Sequence, residues 1–479
     1  MSGVVMEIES LVRSLGHEST LAVESSEQLV DEVLKSAKEQ ARKNDAYRYG
    51  KQPTPIRIGP GVRTSPAQVL HELGVATTFL DASPLAQVAR HWAHVRYCAT
   101  LTAYRGHLAL SRYADNVVYH HKVTQSEQLG IGLALVVAKT LLRRQHPGWD
   151  FHAVDAEVAL KAGFLEGAGE VDTTSKTKKR PDYILLGHHS SGRRGGVKIV
   201  VLECKGTHQS SSFAYEQLAR ATVQVDALRV GGRSQPSLMV ASCLSRSRIT
   251  SYVLDPPGDD ELWSGADDDL DELLRATPED QDWRPRPAPP DEARMWEVST
   301  DTAPPADDTA VSSEDELPQG RPDVFDIPAE RRGWFTQILT RAAAATALLF
   351  AGNNAAARDY ATPRQREEPP APEPPALFEL DPPWDSSTAE TLQLRNGLRA
   401  EGTRYRAPLP GRKMLEVFRG VDSDLYRHLA EGRVGPYLRA APRTFRRWEA
   451  ARPDGGVLSI GRDGTVLVIR LADERRRSR

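Results

Sequence analysis

Cysteine is scarce in this 479-residue chain: Cys98, Cys204 and Cys243 show no paired spacing and no CxxC. That excludes a disulfide framework and a cysteine-built zinc site, and it fits a reducing compartment, the cytoplasm. Aromatic residues make up only 6%. Neither sign of charge prevails, since the formal net charge is −3, so the chain as a whole is no polycation. The first nine residues carry neither a basic run nor a long apolar run, and no secretory signal is expected. There is no GxxxxGK[ST], so any nucleotide-driven step would need a partner. The one extended apolar stretch, residues 334–352, contains Gln337 and Arg341. It is expected to pack on protein, with no membrane role.

What is present is strongly segregated, and the length argues for two or three domains. Residues 1–125 read as mostly helical, with helices from about Ser25 to Arg42 and from about Ser83 to Tyr113. The second carries Arg90, Trp92, Arg96, Tyr97 and Tyr104, a mixture that suits either a nucleic-acid grip or an ordinary amphipathic helix with its rings in the core. Residues 256–330 are acidic and proline-rich. Asp255 to Glu330 holds about two dozen Asp and Glu against five Arg, too little apolar surface to offset chain entropy, so a disordered linker is expected. An apolar helix (331–364) and a second proline-rich linker (365–385) follow. The basic region 386–479 reads as a small α+β unit with a hairpin turning at Arg462-Asp463-Gly464. The last hundred residues hold about nineteen Arg and one Lys. Such a region can hold phosphates in a salt-dependent way. It can equally neutralise the acidic linker of its own chain, and either segment could engage a protein partner.

Residues 126–255 carry the chemistry. Ser126 to Gln145 reads as a helix, His152 to Leu160 as a strand, Ser212 to Val230 as a helix, and Ser237 to Leu244 as a strand. Between the first strand and the second helix lie two apolar runs. One is Arg180-Pro181-Asp182-Tyr183-Ile184-Leu185-Leu186. The other, Val197 to Val201, continues as Leu202-Glu203-Cys204-Lys205-Gly206. A turn-rich gap, 187–196, makes them a loose hairpin with His188, His189, Arg193 and Arg194 in its loop. Side chains alternate along a strand, so Glu203 and Lys205 point the same way, and Asp182 on a neighbouring strand can reach the same spot. Two carboxylates and an ammonium at the end of a buried strand suit a divalent cation and hydrolysis of a phosphodiester. As a mere surface Glu–Lys pair the same residues would contribute little.

In residues and order, about 126–254 resembles the PD-(D/E)xK nuclease superfamily, with Pro181-Asp182 as the PD and Glu203-Cys204-Lys205 as the (D/E)xK. The resemblance implies an α/β fold, a restriction-endonuclease-like core with a mixed central sheet flanked by helices (αβββαβ). It implies that Asp182, Glu203 and the Cys204 carbonyl bind Mg²⁺ or Mn²⁺, and that Lys205 orients the attacking water or stabilises charge on phosphorus. Relatives add an acid from the preceding helix. Glu127, expected in the first turn of the helix from Ser126, is the best match, and Glu157 on the first strand is its rival. Relatives also use a Gln on the following helix, here Gln217 or Gln224, while His208 lies three residues past Lys205. The expected function is a magnesium-dependent nuclease cutting DNA, in a setting of bacterial restriction or phage defence. Cutting both strands would call for a homodimer. RNA stays open as substrate. The alternatives are a catalytically inactive nuclease-fold module that binds nucleic acid, or an adaptor or assembly protein.

Overall fold

The computed structural model describes residues 2–43, 50–59, 61–80, 86–114, 117–162, 180–190, 197–256, 258, 286–287, 323–366, 387–394, 397–451 and 456–473. Most of the acidic linker and of the proline-rich linker therefore lies outside the described residues, as do Arg193 and Arg194.

The molecule is a mixed α/β structure built around a large mixed sheet flanked by helices. Among the described residues eleven strands precede the acidic segment: β1 (Ser19–Glu24), β2 (Gly61–Thr64), β3 (Leu101–Tyr104), β4 (His107–Leu110), β5 (Trp149–Asp155), β6 (Tyr183–His189), β7 (Lys198–Thr207), β8 (Leu228–Val230), β9 (Arg233–Ser234), β10 (Ser237–Cys243) and β11 (Thr250–Leu254). Nine of them form the sheet, in the order β3-β4-β1-β11-β10-β7-β6-β5 with β2 beside β1. β5, β6 and β7 are antiparallel neighbours, and β10 lies parallel to β7. The helices are α1 (Ser2–Ser14), α2 (Glu27–Lys43), α3 (Pro66–Ala76), α4 (Ala86–Ala89), α5 (Trp92–Tyr97), α6 (Tyr119–Gln145), α7 (Ala156–Lys161) and α8 (Ser211–Val225). Thus a helix, three strands, a helix and a strand follow one another as expected, with the short α7, β8 and β9 inserted.

The continuous apolar run of β7 is what a strand covered on both faces requires. Val200, Leu202 and Cys204 belong to the core beneath α3 and α6, whereas Ile199 and Val201 belong to the core beneath α2 and α8. The helix α6 approaches β7 closely because glycine stands at both contact points. A Cβ on Gly206 would lie 1.9 Å from the Ser126 carbonyl oxygen, and one on Gly130 would lie 2.9 Å from the Gly206 Cα. Backbone cannot yield as a flexible side chain would. Gly206→Ala is therefore expected to cost about 1–3 kcal/mol, read as a lower melting temperature. An unchanged melting temperature would show that α6 does not rest on this strand.

Several expectations need correction. The N-terminal 125 residues are mostly helical among the described residues, as expected, but they are not a separate helical region, for β1 to β4 join the same sheet as β7. The stretch expected as a helix to Tyr113 breaks after α5 into the β3–β4 hairpin. Its turn, Arg105-Gly106, holds φ of 49° and 80°, the positive values a two-residue hairpin turn demands. The helix α6 begins at Tyr119, not Ser126; its first turns are exposed, with Tyr119 69% accessible, so no apolar periodicity marks them. His188 and His189 are not loop residues but end β6, and His188 is buried. The segment 256–330 is not structureless throughout: β12 (Arg286–Pro287) pairs with β13 (Asp323–Ile327), which pairs in parallel with β8.

The helix Arg332–Phe350 is buried from Phe335 to Ala345 and again from Ala347 to Phe350, a helix that packs on protein as expected. No described helix is long and apolar enough to cross a membrane. The C-terminal region is an antiparallel sheet of β14 (Ser387–Gln393), β15 (Arg399–Leu409), β16 (Lys413–Asp422), β17 (Gly456–Ile460) and β18 (Thr465–Asp473), in the order β14-β15-β16-β18-β17, with helices Ser423–Ala430 and Val434–Glu449. It is docked on the main sheet's helices. Leu415, Val417, Val457, Leu467 and Ile469 share the core of α3 and α6. His71 bonds Ser459 and Thr465 at 3.0 Å each. The buried Arg419 reaches the Arg90 carbonyl and the Thr78 hydroxyl and lies 4.4 Å over the Phe350 ring. Five of this region's described arginines are engaged inside the fold: besides Arg419, Arg404, Arg406 and Arg470 surround Glu416, and Arg462 reaches Asp150, whereas Arg399, Arg412, Arg439, Arg443 and Arg446 are exposed.

Candidate active site

The antiparallel register of β6 and β7 sets Tyr183 opposite Leu202, which brings Asp182 level with Glu203 at the end of the pair. Two backbone hydrogen bonds lock the carboxylates there. The Asp182 N–H donates to Glu203 Oε2 at 3.1 Å, and the Cys204 N–H donates to Asp182 Oδ2 at 2.8 Å. Lys205 Nζ lies 2.6 Å from Glu203 Oε1. By alternation all three side chains take the α8 side of the sheet. Asp182, Glu203 and Lys205, chosen from spacing alone, are therefore brought together.

Their burial decides the electrostatics. Glu203 is fully buried and the Lys205 side chain is 24% exposed. Burial, and then the Asp182 charge, push the Glu203 carboxyl up to about 8, with Lys205 opposing. Burial alone would lower the Lys205 pKa, but Glu203 and then Asp182 outweigh it and hold the ammonium above its ordinary value. Burial, followed by Asp182 and Glu203, also raises the Cys204 thiol well above its usual range, so it stays protonated and only its backbone serves the site.

The helix α8 closes this side. Ser210 caps it, accepting the Phe213 N–H at 3.4 Å. Gln217 Nε2 approaches the Gly206 carbonyl at 3.5 Å, and Gln224 Nε2 the Arg180 carbonyl at 3.4 Å. Both glutamines thus face the two segments that carry the acids and the lysine. Arg180 itself pairs with Glu157. Glu157 is not on a strand, as expected, but in the first turn of α7, whose cap Asp155 accepts the Val158 N–H at 3.1 Å. The Asp-Ala-Glu-Val run signals that cap in the sequence.

Glu127 is placed differently from expectation. Because α6 starts seven residues early, Glu127 sits in its third turn, exposed, on a helix that covers the opposite face of β7. Its charge is felt at Tyr97. No hydrogen bond or ion pair among the described residues joins it to Asp182, Glu203 or Lys205. His208 is half-buried just past the end of β7 and lines a cleft with Lys122.

Among the described residues no group of three or more His, Cys, Asp or Glu could hold a metal ion. The oxygen donors at this site are the carboxylates of Asp182 and Glu203. That set fits Mg²⁺ or Mn²⁺, which keep several waters and bind through one or two carboxylates, and not a closed structural zinc site. Adjoining carboxylates that push one proton affinity upward are also what a divalent cation relieves. Comparison with family models, curated proteins and solved structures returned no match.

Proposed function

We propose that the chain is a metal-dependent nuclease with a PD-(D/E)xK type, restriction-endonuclease-like core, hydrolysing DNA phosphodiester bonds. The observation that carries this reading is the convergence of Asp182, Glu203 and Lys205 within direct reach of one another on one face of the sheet. The order α6, β5, β6, β7, α8, β10, with β10 parallel to β7, supports it. Asp182 and Glu203 would hold Mg²⁺ or Mn²⁺, with the Cys204 carbonyl as a further ligand. A cation there supplies Lewis acidity toward the phosphate and lowers the pKa of an attacking water. Lys205, kept protonated by its two acidic neighbours, meets the phosphate as a cation and opposes the charge that builds on phosphorus; it is no general base. Gln217 and Gln224 steady the Gly206 and Arg180 segments on either side.

The test is cleavage of supercoiled and linear DNA by the purified chain in Mg²⁺, Mn²⁺ or EDTA. Nicking or linearisation is expected with metal and none with EDTA. An absence of cutting in both metals would defeat the catalytic reading. A second reading, a nucleic-acid-binding module without catalysis, is favoured by one observation: Glu127 is not joined to the site, which leaves two carboxylates where relatives bring a third.

A further inference from the structure

We infer that the cleft bounded by α1, the β3–β4 hairpin, the start of α6 and the loop after β10 is the path of a single nucleic-acid strand with unpaired bases. The proposal rests on the nuclease reading only for where that strand leads. Two adjoining cavities, of about 900 and 380 Å³, share Leu110 and Arg246 as lining residues. The smaller reaches His208, three residues beyond Lys205, so at roughly 3.3 Å per residue the two Cα atoms lie within about 10 Å of each other. The larger opens at the hairpin, where Tyr104 is 45% exposed.

Basic side chains run the length of this cleft, and tyrosine rings lie at its outer part. Lys122 lines its inner end, Arg246 its middle, and Arg112 its outer part. Glu7 is the one acid among the residues described as lining either cavity, and it is paired with Arg112. Two guanidiniums lie over rings at the outer part: Arg105 over Tyr104 at 5.3 Å, and Arg112 over Tyr113 at 4.9 Å. The Ser245 and Ser247 hydroxyls bond each other at 2.9 Å and leave one proton between them to donate to a phosphate oxygen. Basic side chains track a phosphate backbone, and exposed rings bind bases by stacking. Bases in a duplex are already stacked on one another and offer Tyr104 no face, so the combination selects an unpaired strand.

The experiment is fluorescence anisotropy in EDTA with the full chain and labelled probes of roughly 12 nucleotides, oligo-dT and oligo-rU, beside a duplex of the same length. Tighter binding of either single strand than of the duplex supports the proposal. Tyr104→Ala should weaken single-strand binding by about 5- to 100-fold and leave duplex binding unchanged. Arg246→Glu should weaken it about tenfold or more and flatten its salt dependence, whereas Arg246→Lys should retain most of it. Wild-type affinity for oligo-dT in natively melting Tyr104→Ala and Arg246→Glu proteins would overturn the proposal, as would equal binding of duplex. If those variants bind as the wild type does while DNA is still cut, the cleft is refuted and the nuclease stands. If strand binding is lost in them while the wild type cuts nothing, the cleft stands and the nuclease is refuted.

Discussion

Asp182→Asn and Lys205→Ala should each reduce metal-dependent DNA cleavage by about 100- to 1000-fold or more, the scale seen when one preorganised charge partner is removed from an active site. Stability should move little or in the other direction. An Asn at 182 still offers an oxygen to the Cys204 N–H, and it removes the charge that works against ionising the buried Glu203. Lys205→Ala strands the Glu203 carboxylate, but burial and Asp182 already favour its protonated form, which limits the cost near neutrality. The pair thus separates a catalytic arrangement from an ordinary structural ion pair. Loss of cutting with an unchanged melting temperature supports catalysis. Cutting within about threefold of the wild type in both variants would rule out the assigned roles, since a preorganised charge should be worth far more.

Two buried histidines should make the protein lose stability in acid, beginning below about pH 6.5 and continuing into the range where carboxylates titrate. His71 and His188 are buried, and burial lowers their pKa to about 4 and about 3; around His71, Asp463 and Glu72 oppose the shift while Lys139 and Arg419 reinforce it, and around His188, His152 reinforces it. The unfolded chain binds protons at these histidines near the ordinary value of 6.5, whereas the folded chain refuses them. The stability these two histidines contribute is therefore fully present above about pH 6.5 and is lost as the pH drops to their folded pKa values, while the raised Glu203 works the other way between about pH 8 and its ordinary range. At about 1.4 kcal/mol per pH unit, the loss is on the order of 3 kcal/mol for His71 and 5 kcal/mol for His188. Together these rival the whole stability of an ordinary domain. Far-UV circular dichroism in denaturant between pH 3 and 8 measures it. His188→Phe, which keeps a flat ring and removes the proton site at a nitrogen without a hydrogen-bond partner, should lower the acid midpoint. An unmoved midpoint in His188→Phe would contradict the argument.

Within residues 126–255 the order of elements was legible in the amino-acid sequence, because each depends on short-range signals. The apolar run of β7 marks a strand covered on both faces, the periodicity of α8 marks its helix, and the turn at Arg462-Asp463-Gly464 marks the last hairpin. Asp182, Glu203 and Lys205 were legible for the same reason: alternation fixes Glu203 and Lys205 on one side, and hairpin register brings Asp182 level with them. The sequence by itself therefore determined which three side chains meet.

Only the tertiary structure decided what surrounds them. Glu127 is not joined to the site because α6 packs on the opposite face of β7, and nothing apolar in its first turns announces that the helix starts at Tyr119. The N-terminal strands join β11 and extend the sheet through pairings hundreds of residues apart, such as Ala22 with Thr250, which no local pattern encodes. The described part of the arginine-rich region proved to be docked against α3 and α6, with Arg404, Arg406 and Arg470 drawn to Glu416 and other arginines left exposed. Local propensity and strand alternation act over a few residues and can be read along the chain. Burial, sheet neighbours and the partners of a charge depend on contacts between distant segments, and these exist only once the chain has packed.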